Sequence, residues 1–193
     1  MSHDGAQLLE YLTLAQQVVF FALMTVSTYT DIAKNKVYNW ATLPAIVLGP
    51  AIWFLSPYSS GQGILNSVAA MGVGGGMFLL FFLFRAVGAG DVKLMAAVGA
   101  LMGPRFLVNA LLPIAIIGAL MAVGVMIFRR RVVEGLKSSA KMLVTLRPKK
   151  PAEGKPPLTV PYGAAIAIGS MWTWAMLLIL NQLPTISRPL FLI

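Results

Sequence analysis

From Phe106 to Phe128 the chain runs without a single Asp, Glu, Lys or Arg. A transmembrane helix needs about 20 mostly apolar residues, with a range of roughly 17 to 25. That run is long enough to cross a bilayer, and the rest of the chain agrees with it. Only 11% of the 193 residues are charged, the mean hydropathy is +0.81, and 58% are hydrophobic. Soluble domains carry about 25% charged residues. The chain therefore reads as an all-α polytopic membrane protein with a single membrane-embedded domain over 1–193.

The apolar pattern predicts about six transmembrane helices, near 9–30, 40–56, 64–85, 92–103, 106–128 and 160–181. The fourth is short, roughly 18 Å at 1.5 Å per residue, and ends at Gly103-Pro104. A tight hairpin between the fourth and fifth segments is expected there. Gly72, Gly74, Gly75 and Gly76 in segment three, and Gly99 and Gly103 in segment four, suit close helix packing.

Basic residues set the expected orientation, because cytoplasmic loops collect Lys and Arg. With the N-terminus outside, Lys34, Lys36, Arg85, Lys93 and the 129–158 connection all fall in the cytoplasm. That side then holds thirteen of the fifteen basic residues, leaving Arg105 and Arg188 outside. Six crossings return the C-terminus to the outside. The connection mixes Val133, Leu136, Met142, Leu143 and Leu146 with cations, as a helix on anionic lipid would. It ends in a Pro-rich tether. The +9 net charge is thus read as membrane orientation rather than as binding of nucleic acid.

Several chemistries are excluded by residue type. The chain has no cysteine, so neither disulfides nor Cys-ligated zinc is available. His3 is the only histidine, which removes His-activated nucleophiles and the H-E-x-x-H pattern. No G-x-S-x-G elbow, Walker A loop or G-x-G-x-x-G fingerprint occurs. The N-terminus carries Asp4 and Glu10 rather than cations and has no small-residue cleavage site, so the first apolar stretch is expected to stay as an anchor.

Of six acidic residues, Asp31 and Asp91 stand apart. Asp31 closes the first predicted segment and Asp91 opens the fourth. The predicted topology puts both at one depth on the cytoplasmic side. A charged side chain at the bilayer centre costs about 2.5–3.5 kcal/mol on insertion scales, so such acids usually face a cavity and a partner. Two carboxylates brought together cannot both ionise freely and share a proton. That state suits an aspartic peptidase, in which one carboxylate takes a proton from water and the other gives one. The plainer readings are that Asp91 caps the fourth helix and that Asp31 pairs with Lys34.

"GAGDVKLMAAVGALMG", beginning at Gly88, resembles the G-x-G-D-x-K-L segment of the type IV prepilin peptidases. "TDIAKNKVYN", Thr30 to Asn39, resembles their first catalytic segment, and "VPYGAAIAIG", Val160 to Gly169, their Pro-aromatic-Gly stretch. The three fall in family order. The resemblance implies Asp31 and Asp91 as catalytic aspartates, and Gly88 and Gly90 as motif glycines around the variable Ala89. Lys93 and Leu94 match the residues after the Asp, with Lys93 holding the loop or an anionic head group. Asn39, Pro161, Tyr162 and Gly163 would be neighbours of the site.

The resemblance further implies an endopeptidase of the cytoplasmic (inner) membrane that uses water and neither metal nor organic cofactor. Its partners would be a prepilin or pseudopilin with a basic leader and an apolar helix, and anionic membrane lipid. With no cysteine-bearing N-terminal methyltransferase domain, the chain resembles the short members beside Flp/Tad pilus systems. Alternatives are an archaeal-type preflagellin peptidase, a small ion- or proton-coupled transporter using the two aspartates, and a non-enzymatic assembly protein.

Overall fold

A computed structural model describes residues 3–56, 62–84, 86–128 and 161–180. The 129–158 connection, Arg85, Arg188 and the C-terminus lie outside the described residues. Five helices are present among the described residues: α1 (His3–Lys34), α2 (Asn39–Leu55), α3 (Gln62–Leu83), α4 (Ala89–Phe128) and α5 (Tyr162–Ile179). Four of them are long and apolar enough to cross a membrane, and α2 is a shorter apolar helix. The described residues are therefore helical and suited to multiple crossings.

α1 extends past the expected segment at both ends. Hydropathy falls at Asp31 and Lys34, but backbone hydrogen bonding continues there, and the Asn35 N–H still donates to the Asp31 carbonyl at 2.8 Å. Asn35 then adopts a positive φ of 49°, the left-handed conformation that ends many helices.

The expected fourth and fifth segments are two limbs of α4, separated at Gly103 (φ 78°, ψ 177°). That conformation is essentially reserved for glycine. A methyl group on Gly74 of α3 would lie 2.9 Å from the Met95 carbonyl oxygen and 3.1 Å from the Leu107 side chain. Twelve residues of straight helix would hold Met95 and Leu107 about 18 Å apart. The chain therefore folds back at Gly103, and the two limbs form the predicted hairpin.

The first limb is buried around its circumference, with Leu94, Met95, Ala97, Val98, Ala100 and Leu101 fully enclosed. A helix apolar on every side belongs inside. The other helices ring it, with α1 on α2 and α5, α2 on α3, and α3 and α5 on α4. Contact at Gly99 is close enough that a methyl group there would clash with the Ala70 carbonyl oxygen. Gly74 and Gly75 face α4, whereas Gly72 and Gly76 face open space.

Ending a helix inside the bundle leaves carbonyls without intrahelical partners. Three side chains meet them here. Gln16 of α1 and Trp53 of α2 both donate to the Leu101 carbonyl, Trp53 at 3.0 Å. Ser67 of α3 donates to the Ala100 carbonyl at 2.6 Å. In hydrocarbon an unpaired backbone group costs several kcal/mol, so these donors allow the buried reversal.

Candidate active site

The ends of α1, α4 and α5 meet at the opposite end of the central limb. Gly88 is the N-cap of α4, its carbonyl accepting the N–H groups of Asp91 (3.1 Å) and Val92 (3.4 Å). Asp91 reaches back, and its Oδ2 accepts the Gly88 N–H at 2.9 Å. This is the half of a capping box in which the N3 side chain reaches back to the N-cap N–H. The plainer reading of Asp91 as a cap therefore describes one of its carboxylate oxygens.

Asp31 caps a different helix. Pro161, at the N-cap of α5, offers no side-chain cap. Asp31 Oδ2 from α1 instead accepts the Ala164 N–H at 2.9 Å. Gly163 permits this, because a methyl group there would lie 3.0 Å from Asp31 Oδ2 and 2.7 Å from Val37 Cγ2. Asp31 and Asp91 are 5% and 7% exposed. Each commits its Oδ2 to a helix start.

Both aspartates line a cleft of about 510 Å³. Asn35, Lys36, Val37, Tyr38 and Asn39 form one wall, the strand of chain from Ala86 to Gly90 another, and Tyr162 a third. Gly88, Gly90, Asn39 and Tyr162, all singled out in the sequence, thus meet at one place. Gly163 lies directly behind Asp31. Lys93 stands outside the lining, where its Nζ donates to Asn39 Oδ1 at 2.8 Å and ties α4 to the start of α2. Pro161 only starts α5, its carbonyl accepting the Ala165 N–H at 3.4 Å.

Asn35, Lys36, Val37 and Tyr38 were not singled out from sequence. Asn35 carried a usable signal, since Asn after a predicted helix often takes the left-handed conformation. Val37 carried none, being one apolar residue among many. Lys34 sits over the Tyr38 ring at 5.8 Å from its centroid, which brings a further cation to this end.

The arrangement sets two buried carboxylates on the lining of one open cleft at the end of a helical bundle, beside a polar wall. The type IV leader peptidase family matches residues 18–123, more than half of the chain and including both aspartates. The chain belongs to that family, and so to a class of membrane peptidases. Neither the curated proteins nor the solved structures compared with it gave a match.

Proposed function

We propose that the chain is an aspartic endopeptidase that removes the basic leader of prepilin or pseudopilin precursors at the cytoplasmic face of the membrane. The observation that carries this reading is that Asp31 and Asp91, sixty residues apart in sequence, line one cleft. One carboxylate takes a proton from water as its oxygen bonds to the scissile carbonyl carbon. The other protonates the carbonyl oxygen. Collapse of the resulting diol breaks the C–N bond, and the nitrogen leaves with a proton from the dyad. No group beyond the chain and water enters these steps.

Depth in the membrane supports the choice of substrate. Tyr11 and Tyr29 of α1 are 70% and 73% exposed. Eighteen residues separate them, about 27 Å of helix, close to the hydrocarbon thickness of about 30 Å. Exposed aromatics favour the two membrane interfaces. Asp31 lies two residues beyond Tyr29, at head-group level and beside Lys34 and Lys36. A site there reaches the junction between a cytoplasmic leader and a membrane helix. In this orientation both termini of the six-segment chain face outward.

The test is co-expression with a candidate prepilin, following leader removal by gel shift, for wild type and for Asp31→Asn and Asp91→Asn at matched membrane levels. Cleavage by wild type and its loss in each variant is the expected result. Cleavage surviving in either variant would overturn the dyad.

A further inference from the structure

The two aspartates stand on different helices, so their separation depends on what holds the helix ends apart. The cleft contains one side chain that touches both supports. Val37 Cβ would lie 2.9 Å from a methyl group built on Gly90, immediately before Asp91. Its Cγ2 would lie 2.7 Å from one built on Gly163, immediately before the Ala164 N–H that holds Asp31. At Gly90 the room a Cβ would need is taken by the Val37 Cβ and backbone, and at Gly163 by Val37 Cγ2 together with the Asp31 carboxylate.

We infer that Val37 is a positioning residue, a spacer wedged between the starts of α4 and α5 that fixes the distance between the Asp31 and Asp91 carboxylates. The inference rests on the peptidase reading and adds a residue to it. Val37 does not touch the reacting atoms through a polar group, since its side chain has none.

Three features make the spacer rigid. Val37 is only partly exposed and packs against the main core. Its χ1 is restricted by β-branching. The chain around it is pinned on both sides, by the left-handed turn at Asn35 and by Asn39 bonded to Lys93. Asp31 and Val37 belong to the same short stretch, so a shift of that stretch moves one carboxylate and the gauge that measures it together. What Val37 adds is the relation to α4, through Gly90.

A spacer has an optimum size, which ordinary apolar packing does not. Val37→Ala removes the Cγ2 that stands against Gly163 and lets the start of α5 approach, while the Cβ it keeps still meets Gly90; Val37→Ile forces the helix starts apart. A misplacement near 1 Å in an active site lowers rate by about a hundredfold. Both variants are therefore expected to lower kcat by about ten- to a hundredfold, with KM changed by less than about threefold. Because α1, α4 and α5 remain packed through many other side chains, the purified variants should keep the elution profile and unfolding temperature of wild type to within a few degrees.

The experiment measures kcat and KM for leader cleavage by purified wild type, Val37→Ala, Val37→Ile, Asp31→Asn and Asp91→Asn, each normalised to folded enzyme by size-exclusion. A second pair, Gly163→Ala alone and with Val37→Ala, tests the contact directly. The larger alanine at 163 gains room when residue 37 shrinks, so the double variant should be more active than Gly163→Ala alone. A kcat that peaks at valine, with this partial rescue, establishes the spacer. Essential aspartates with a wild-type kcat in Val37→Ala, or a kcat that rises steadily with side-chain size, overturns the inference alone. Full cleavage by the aspartate variants overturns the peptidase dyad and the inference with it.

Discussion

Asp31 closes α1 and caps α5: its Oδ2 accepts the Ala164 N–H at 2.9 Å across 133 residues of sequence. One carboxylate oxygen thus links the first and last described helices. The interaction is charge-assisted when Asp31 is ionised, and such bonds are about twice as strong as neutral ones. It also accounts for a helix whose own N-cap, Pro161, supplies no side-chain acceptor.

An asparagine at position 91 keeps an oxygen able to accept the Gly88 N–H, so the α4 cap survives. Asp91→Asn should leave the unfolding temperature in detergent within a few degrees of wild type. Cleavage should fall by at least the 10²–10⁴-fold typical of a lost general acid or base. Unfolding and turnover measured on one preparation separate the two effects.

Gly163→Ala places a methyl group against both the Asp31 carboxylate and Val37. Leader cleavage should fall by about a hundredfold from the displaced carboxylate. Gly72→Ala is the control, because nothing lies within 4 Å of a methyl group there. It should cleave normally and gain up to about 1 kcal/mol of helix stability. Equal loss in both variants would remove the geometric argument for Gly163.

At Gly103 the backbone itself is the constraint. Alanine at φ 78°, ψ 177° carries strain of about 1–3 kcal/mol, and its Cβ would meet the Trp53 ring at 3.1 Å. Gly103→Ala should lower thermal stability clearly. An unchanged melting curve would mean that the reversal tolerates side chains.

Gln16 and Trp53 share the Leu101 carbonyl. Removing either donor leaves the other, so Gln16→Leu and Trp53→Phe should each cost about 1 kcal/mol from the lost bond. The double variant orphans a buried carbonyl and should cost more than the sum. A double-mutant cycle on denaturation measures the excess, and simple additivity would argue against the shared acceptor.

Much of this architecture was legible in the chain. Gly103-Pro104 marked the reversal because few residues can occupy that conformation and proline cannot continue the preceding helix. Asp31 and Asp91 were visible because a carboxylate beside an apolar run demands a reason. Three things were hidden. The first limb of α4 reads like any membrane helix, since lipid tails and a protein interior are equally apolar. Its burial therefore left no mark in composition. The last turn of α1 was missed because hydropathy records solvent preference and not backbone hydrogen bonding. The Val37 wedge is a contact between residues 53 and 126 positions apart, and neither spacing nor residue type announces it.

The enclosed first limb of α4 has a consequence for how such an enzyme can diversify. Ala97 and Ala100 are fully enclosed and Gly99 is pressed against Ala70, so the limb that carries Asp91 has little room for an added methylene. Divergence is thereby channelled away from the interior and toward the rim formed by Asn35–Asn39 and Ala86–Ala89. Rewriting those short stretches changes the walls of the cleft, while the enclosed limb that carries Asp91 keeps its place as a fixed datum.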